Sequence, residues 1–402
     1  MILTREDGRG LPREAYVTDG IFDAELARFW RAGWLFAGLT CELQQPGQYL
    51  TFNIGTDPIL VLRDDDGSIR AFHNICTHRG TLLCSEEHGR LGQLIVCPYH
   101  QWTFTRDGTV NSCRGMQAGV DKSKLGLRPV ACQTVAGMVF VCLSELPPDF
   151  EPIRTVLSAA EPHGFDQARV AVAIDYQVAA NWKLVWENNR ECYHCDAGHP
   201  QYVKSNFDIY EGDRDTPAAR AGLATAVARA EPVWQDQKLA IALAQGGLAR
   251  FPDADIPWPV SATRTVLADG YQTESMDGKR VAPLMGRLTG PDTGVLRLRG
   301  LPNFWAHASC DHAVFTRLLP VSRSITRATV YWLVDQAAEE GRDYQREQLL
   351  PFWQLTSEQD WQLCEWAQRG VTSSAYRPGP LSLDREYNVD AFLRWYMRWM
   401  AS

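Results

Sequence analysis

The chain of 402 residues lacks the marks of several protein classes. It has no apolar run near the roughly 18 residues that a membrane-spanning helix needs. Its first ten residues, MILTREDGRG, are charged and contain no apolar core, so we expect no secretory signal peptide. Acidic residues outnumber basic ones by 48 to 40, which argues against a broad nucleic-acid-binding surface. What remains is the composition of an ordinary globular protein, with room for more than one domain.

Two further absences concern electron chemistry and disulfides. The chain contains neither a G-x-G-x-x-G nucleotide loop nor the cysteine cluster of plant-type ferredoxins, so we do not expect it to take electrons from NAD(P)H unaided. Its 11 cysteines are scattered without a disulfide framework. Two belong to the motif described next, and we expect the others to be reduced thiols, which favours a cytoplasmic location. These others are Cys41, Cys84, Cys113, Cys132, Cys142, Cys192, Cys195, Cys310 and Cys364.

The most informative motif consists of Cys76, His78, Cys97 and His100, in the pattern C-x-H, eighteen residues, C-x2-H. Each of its two loops, CTHRG and CPYHQW, brings one cysteine and one histidine. Two thiolates and two imidazoles suit an asymmetric [2Fe–2S] cluster, whose potential the histidines raise from about −400 mV to roughly −150 to +300 mV. A zinc site is the alternative, but zinc fingers usually group the two cysteines apart from the two histidines. The motif therefore predicts electron transfer.

A second metal site is predicted in residues 181–200, NWKLVWENNRECYHCDAGHP. Glu191 and His194 are three residues apart and would share a helix face. Gly198 and Pro200 predict a helix end, which places His199 where the turning chain can aim it at the same point. Two such histidines could be two legs of a 2-His-1-carboxylate triad, which leaves one face of Fe(II) open for dioxygen. Taken alone, each histidine is more often a hydrogen-bonded core or surface residue than a metal ligand.

The third ligand of such a triad must come from elsewhere in the chain. Residues 349–367 predict a helix whose apolar stripe includes Leu349, Trp353 and Thr356, and position 360 on this stripe is an aspartate. An ionised carboxylate on a buried stripe is costly unless a metal or a partner compensates it. We therefore select Asp360, although a cap or ion-pair role is the alternative. Glu191 is either a surface charge or a residue that orients or bridges a ligand imidazole.

The pattern of short elements predicts an α+β fold. Residues 20–35 predict an amphipathic helix, and residues 47–143 predict the strands and turns of a small all-β domain that presents the two cysteine–histidine loops. A linker rich in proline and acidic residues follows, from Ser144 to about Pro162. Strands at 170–178, 296–298, 313–319 and 329–334 predict an antiparallel sheet with flanking helices. Residues 217–250 are alanine-rich and helical in pattern, and they could be a lid or an ordinary surface insertion.

These motifs together resemble the α subunit of Rieske non-haem iron oxygenases. The resemblance spans nearly the whole chain: WLFAG (Trp34–Gly38), AFHNICTHRG, CPYHQWTFTRDG, ENNRECYHCDAGHP and EQDWQLCEWAQRGVTSSAYRPGP. It implies an N-terminal helical segment at 1–40, a Rieske [2Fe–2S] domain at 41–150 and a catalytic domain of the helix-grip, START-like type at 151–402. The membrane-complex type of Rieske protein has an additional cysteine in each loop, whereas this chain has Thr81 and Tyr99 there. Gln101 stands where family members often have glycine.

The resemblance also implies the ligands and the assembly. Cys76, His78, Cys97 and His100 would hold the cluster, and His194, His199 and Asp360 would hold a mononuclear Fe(II). The resemblance further implies a head-to-tail homotrimer, in which the cluster of one subunit serves the iron of its neighbour. Glu191 would then bridge to a cluster histidine across the subunit boundary, with His100 as the expected partner.

The segments ECYHC and QRGVTSSAYRPGP look most like the branch acting on quaternary ammonium compounds, namely glycine betaine, proline betaine (stachydrine) and carnitine oxygenases. This resemblance implies an O2-dependent monooxygenase that hydroxylates an N-methyl group, releases formaldehyde and receives electrons from a separate NAD(P)H-dependent flavin and iron–sulfur reductase. An aromatic-ring dioxygenase α subunit, which would form a cis-diol, is the alternative. A non-catalytic Rieske electron carrier is a third, but it would not need the residues beyond the β domain.

A quaternary ammonium group cannot donate hydrogen bonds and is commonly held by aromatic faces, at about 0.5–2 kcal/mol for each contact. The chain has 14 Trp, 13 Tyr and 15 Phe from which such a cage could be built. Core packing is the alternative role for each of them. The candidates nearest the motifs are Phe207, Tyr210, Trp258, Phe304 and Trp305.

Overall fold

The amino-terminal part of the chain folds into β-sheets. The computed structural model describes residues 3–117, 119–206, 216–239 and 258–401. A seven-stranded antiparallel sheet has the order β1-β10-β9-β4-β3-β2-β5, beside a three-stranded sheet of β6, β7 and β8. The strands are β1 (Leu35–Leu39), β2 (Gln48–Ile54), β3 (Asp57–Arg63), β4 (Ile69–His73), β5 (His88–Arg90), β6 (Ile95–Val96), β7 (Thr103–Phe104), β8 (Val110–Ser112), β9 (Pro129–Val135) and β10 (Met138–Cys142). The predicted all-β domain is thus confirmed.

The carboxy-terminal part is built on a six-stranded antiparallel sheet with the order β11-β16-β15-β14-β13-β12. Its strands are β11 (Ala168–Val178), β12 (Val260–Thr265), β13 (Val295–Gly300), β14 (Phe304–Ala308), β15 (Ala313–Ser322) and β16 (Ile325–Asp335). The described helices are α1 (Glu14–Val17), α2 (Asp19–Glu25), α3 (Glu151–Leu157), α4 (Trp182–Asn189), α5 (Cys195–Gly198), α6 (Pro200–Ser205), α7 (Pro217–Asp236), α8 (Arg346–Leu349), α9 (Pro351–Thr372) and α10 (Tyr387–Ala401). The α+β class predicted from the sequence is confirmed.

Two predicted segments differ from the structure. The helix predicted at 20–35 comprises α2 and one π-helical turn, Leu26–Trp30, and stops there because Leu35 already pairs with Val141 in the sheet. The predicted linker contains α3, in whose first turn Pro152 is tolerated because its missing N–H would have no helical partner there. Strand β1 lies inside the predicted N-terminal segment 1–40, and the domain boundaries stay a prediction.

One face of the carboxy-terminal sheet positions the site described below. Successive side chains of a strand point to opposite faces. Leu296 and Leu298 of β13 therefore enter the hydrophobic core, whereas Arg297 and Arg299 face the other way. The same alternation separates Phe304 from Trp305 on β14. In the described part of the chain, no helix is both long and apolar enough to cross a bilayer.

A fully buried ion pair fixes the amino-terminal helices to the carboxy-terminal part. Lys183 Nζ on α4 lies 2.5 Å from Glu25 Oε1 on α2, and both side chains are completely buried. The Glu25 carboxylate also accepts hydrogen bonds from Trp182 Nε1 at 2.7 Å and from the Tyr396 hydroxyl at 2.6 Å. The buried charge is thus surrounded by donors, as its desolvation requires.

A guanidinium group on β16 joins the two parts of the molecule. Arg327 donates two parallel hydrogen bonds to Glu87, which precedes β5, at 2.7 and 2.6 Å. It also donates to both oxygens of Asp175 on β11, at 3.0 and 2.7 Å. These contacts raise the pKa of Arg327 and lower that of Glu87.

Candidate metal centres

The two cysteine–histidine loops are held by short backbone hydrogen bonds. The first loop follows β4, and the Cys76 N–H donates to the Thr81 carbonyl at 2.8 Å. The second loop follows β6, and the Cys97 N–H donates to the Trp102 carbonyl at 2.8 Å. Gln101 has a φ of 56°, in the left-handed region that favours glycine. Gln101 thus adopts a backbone conformation that glycine would adopt without steric cost.

The four side chains of these loops fit a cluster. Cys76 and Cys97 are almost completely buried, and burial together with the neighbouring Cys97 thiol raises the pKa of Cys76. The ring centroids of His78 and His100 are 4.7 Å apart, and His78 stacks on Trp102. Among the described residues, His78 Nδ1 is buried and has no hydrogen-bond partner. Such an orphaned nitrogen is costly, and coordination to an iron of a [2Fe–2S] cluster would satisfy it.

Three other side chains meet at a second point, on the carboxy-terminal part of the chain. His194 Nε2 and His199 Nε2 are 3.1 Å apart, and they lie 3.2 and 2.9 Å from Asp360 Oδ1. Ligand atoms about 2.1 Å from one metal, at roughly right angles to each other, would lie about 3 Å apart. The structure therefore brings together the three residues that the sequence analysis selected, in the arrangement of a facial triad.

The local structure around His194 differs from the prediction. Glu191 and His194 do not share a helix face, because α4 ends at Asn189 and His194 is the residue before α5. The Glu191 carboxylate accepts the backbone N–H groups of Tyr193 and His194 and so makes the turn itself. His199 lies between α5 and α6, just past a helix end as predicted, and Pro200 begins the next helix.

Both histidines are oriented through their other ring nitrogen. His194 Nδ1 lies 2.6 Å from Glu191 Oε1, and His199 Nδ1 lies 2.8 Å from Gln359 Oε1. An acceptor at Nδ1 holds the proton there and leaves the Nε2 lone pair for a metal. The sequence analysis missed Gln359, which precedes Asp360 on α9. Its position next to Asp360 in the sequence was the only available signal. An uncharged amide, unlike a buried carboxylate, does not require a compensating charge that would indicate a metal.

The electrostatics of the site favour a cation. Burial lowers the pKa of His194, but hydrogen bonds to Asp360 and Glu191 outweigh this effect and raise it to about 10. Burial raises the pKa of Asp360, and the two histidines lower it below its ordinary value. The two carboxylates thus stabilise positive charge at the imidazoles, and a divalent iron held by both Nε2 atoms and Asp360 would supply that charge.

The turn that carries His194 also contains a disulfide. Cys192 and Cys195 are bonded to each other. The prediction that all nine remaining cysteines are reduced is therefore wrong for this pair. The other seven are free thiols in the structure. The spacing C-x2-C was the signal that could have identified the pair.

A cavity opens beside the triad and is rich in aromatic side chains. The indoles of Trp305, Trp353 and Trp361 line it together with Tyr202. Trp305 comes from β14, Tyr202 from α6, and the other two from α9, the helix that carries Asp360. The cavity therefore places aromatic faces next to the three convergent ligand atoms.

Not all of the predicted substrate residues line the cavity. Trp305 lines the cavity, whereas Phe304 faces the opposite side of β14 and packs against Phe36 and Phe140. Trp258 is not among the described lining residues, and its ring packs over Gly33. Phe207 and Tyr210 lie outside the described residues.

The cage residues that sequence reasoning missed had a usable signal. Trp353 and Trp361 lie near Asp360 on the stripe of α9 that faces the core. Tyr202 follows His199 by three residues, so the two lie within one turn of each other at the start of α6. Strand alternation alone would also have excluded one of the adjacent pair Phe304 and Trp305.

Two protein families match this chain. Residues 33–131 match the Rieske [2Fe-2S] domain, and residues 165–402 match the ring hydroxylating alpha subunit (catalytic domain). The first match contains all four residues of the cysteine–histidine loops, and the second contains His194, His199 and Asp360.

Characterised relatives cover the whole chain. The glycine betaine monooxygenase oxygenase subunit of Chromohalobacter salexigens is 40% identical over 405 residues, covering 100% of this chain and 88% of the relative. The protein of the same description from Pseudomonas aeruginosa is 39% identical over 400 residues, covering 98% and 90%. A solved structure of a quaternary ammonium Rieske monooxygenase, related to carnitine oxidation and inter-subunit electron transfer, superposes with a TM-score of 0.73. It covers 98% of this chain and 96% of its own at 19% identity, and this likeness shows the fold alone.

Proposed function

Because the chain belongs to the ring-hydroxylating α-subunit family of Rieske oxygenases, we propose that it is the oxygenase component of an N-demethylating monooxygenase. Members of this family are O2-dependent oxidoreductases with a [2Fe–2S] cluster and a mononuclear iron. The proposed substrate is a betaine-like quaternary ammonium compound. The observation that carries the proposal is the wall of indole faces beside His194, His199 and Asp360.

The proposed reaction converts an N-methyl group into formaldehyde. The methyl C–H, one O2, two electrons and two protons give an N-hydroxymethyl group and one water. This group then loses its hydroxyl proton, and its C–N bond breaks with the electron pair staying on nitrogen. The products are formaldehyde and the dimethylamine, with one proton released.

Different residues of the chain would hold the cluster and the mononuclear iron. Cys76, His78, Cys97 and His100 would hold the cluster, whereas His194, His199 and Asp360 would hold the iron. When bound, the iron supplies the open coordination positions at which dioxygen is activated. Glu191 and Gln359 keep the two imidazoles in the tautomer that presents Nε2.

The aromatic wall suits a cation that has no hydrogen-bond donor. The indoles of Trp305, Trp353 and Trp361 would offer cation–π contacts of about 0.5–2 kcal/mol each, whereas the Tyr202 ring already has the guanidinium of Arg297 5.9 Å from its centroid. They also keep water from the reacting methyl group, because a wall of indoles replaces solvent on that side. An aromatic substrate could pack against the same indoles. The identity of the product, rather than binding affinity, therefore distinguishes N-demethylation from cis-dihydroxylation.

We further propose that electrons cross a subunit boundary in a homotrimer. Among the described residues, no hydrogen bond links the cysteine–histidine loops to Glu191 or His194. Exposed apolar side chains surround the loops, namely Leu82, Val96 and Tyr99. Tyr193, half exposed, lies in the turn that carries Glu191 and His194, where another copy's loops could contact it. A separate NAD(P)H-dependent flavin and iron–sulfur reductase would supply the electrons, and the cytoplasmic location stays a prediction.

The test compares product formation with oxygen consumption. We expect the reduced, iron-loaded protein to release one formaldehyde for each O2 consumed with glycine betaine. Asp360→Ala should abolish this coupled turnover and lower iron content by one per chain while leaving the cluster absorbance intact. Gln362→Ala, an exposed change on the same helix, is the control. Full coupled turnover by Asp360→Ala would refute the triad, and a cis-diol from an arene without demethylation of any betaine would refute the substrate class.

A further inference from the structure

Among the described residues that line the cavity beside the triad, Arg299 is the only arginine or lysine, and it stands on the sheet wall. Arg299 on β13 pairs in register with Trp305 on β14, so the two side chains project from the same face of the sheet. Directly paired residues have Cβ atoms about 4.5–5.5 Å apart. An indole face and a guanidinium are therefore adjacent at this wall, which is what a molecule carrying both a cation and an anion a few bonds apart requires.

Arg299 lines the cavity directly, whereas Arg297, two residues earlier on the same face of β13, has its guanidinium 5.9 Å from the centroid of the Tyr202 ring. Arg299 is 6% exposed. The nearby carboxylate of Glu274 is already engaged, at 3.1 Å by His307 Nδ1 and at 3.2 Å by Trp353 Nε1. Glu191 and Asp360 face the imidazoles of the triad.

A second arginine increases the positive charge behind this wall. Arg190 is buried, and burial together with the charge of Arg299 lowers the pKa of Arg190 well below its ordinary value. Arg299 Nε donates to Asn189 Oδ1 at 3.4 Å, and Asn189 also lines the cavity. Both guanidiniums contribute to the positive potential that an anionic group in the cavity would meet.

Resting on the proposed function, we propose that Arg299 binds the carboxylate of a zwitterionic trimethylammonium substrate, while the indoles hold its cationic end. Charge-assisted pairing between a guanidinium and a carboxylate is directional and is stronger than a neutral hydrogen bond. Arg299 thus selects betaines over trimethylammonium compounds that lack an anion, and it fixes which methyl group faces the iron. This role is one of binding and orientation, so it affects KM more than kcat.

The experiment compares two substrates of the same size. Glycine betaine carries a carboxylate, whereas betaine amide carries a neutral carboxamide at the same position. For Arg299→Gln we expect the KM for glycine betaine to rise about 10- to 100-fold, the range of a lost hydrogen bond to a charged group. The KM for betaine amide should change less than threefold, and Arg299→Lys should restore part of the preference for glycine betaine.

Arg264→Gln is the matched control. Arg264 is also a buried arginine of this sheet, but it pairs in register with Leu296, on the face opposite the cavity. It should change the KM of both substrates equally or not at all. If Arg299→Gln leaves the KM for glycine betaine unchanged, or raises both KM values equally, the inference is wrong although the proposed function stands.

A measurement on the wild-type protein covers the case in which Arg299→Gln fails to fold. The wild-type KM for betaine amide should then exceed that for glycine betaine at least tenfold, and equal values would overturn the inference. If the wild-type protein releases formaldehyde from neither compound, the proposed function itself fails and this inference falls with it.

Discussion

The amide of Gln359 offers a direct test of how the iron site is built. Gln359→Leu removes the acceptor that lies 2.8 Å from His199 Nδ1, and the side chain of His199 is only 2% exposed, so water cannot replace that acceptor. The imidazole would then lose both its fixed tautomer and its orientation. Loss of such a partner typically weakens metal binding about 10- to 100-fold, which corresponds to about 1.4–2.8 kcal/mol.

The assay is competition for Fe(II) between the protein and a chelator of known affinity, with the visible absorbance of the cluster as an internal standard. Gln359→Leu should lose iron at a 10- to 100-fold lower chelator concentration, roughly in line with its lost affinity, while cluster absorbance stays constant. Gln359→Glu keeps an oxygen acceptor at this position and should retain most of the affinity. Gln362→Leu, an exposed change one turn along α9, is the matched control. If Gln359→Leu holds iron within twofold of wild type, the orienting role is refuted.

Two further predictions concern stability. Burial raises the pKa of Glu187 from 4.5 to about 7, and the hydrogen bond from Tyr16 opposes this rise only in part. Between pH 4.5 and 7 the folded state therefore keeps a proton that the unfolded state loses. The free energy of unfolding falls as the pH rises through this range. Glu187→Gln should therefore raise the free energy of unfolding by at most about 3 kcal/mol at pH 8 and change it little near pH 4.5, as urea unfolding across this range would show; an equal gain at both pH values contradicts the reasoning. Lys183→Met leaves Glu25 buried without its cation and should cost about 3–5 kcal/mol. The double variant with Glu25→Gln should recover most of that loss in thermal unfolding, and simple additivity of the two single effects would argue against coupling.

Residues with strong chemical identity were predictable from the sequence. The cysteine–histidine loops follow from ligand type and spacing, and the structure buries both thiols and leaves His78 Nδ1 without a protein partner. Asp360 was found because a carboxylate on an apolar stripe needs compensation, and the structure shows that it meets both histidines. Burying an unpaired charge raises the free energy of the folded state. A charged residue at a position predicted to be buried therefore indicates a metal or a partner.

Features that depend on three-dimensional neighbours were not predictable in the same way. The helix expected to carry Glu191 and His194 is replaced by a turn, because the Glu191 carboxylate captures the backbone N–H groups that a helix would use. Gln359 and Tyr202 carry no charge, so only their sequence positions close to Asp360 and His199 could have indicated a role at the site. The Cys192–Cys195 bond was missed because scattered cysteines were read as a whole rather than by local spacing.

The guanidinium of Arg327 limits how this enzyme can be dissected. Arg327 donates to Glu87 and to Asp175 at the same time. An independent amino-terminal fragment would contain Glu87 without Arg327, and an independent carboxy-terminal fragment would contain Arg327 without Glu87. The edge strand β5 would lose this contact and keep its pairing with β2, and Arg327 on β16 would keep Asp175 as its counter-ion but lose Glu87. Spectra or potentials recorded on an isolated amino-terminal fragment would consequently report a loop environment altered by the cut itself.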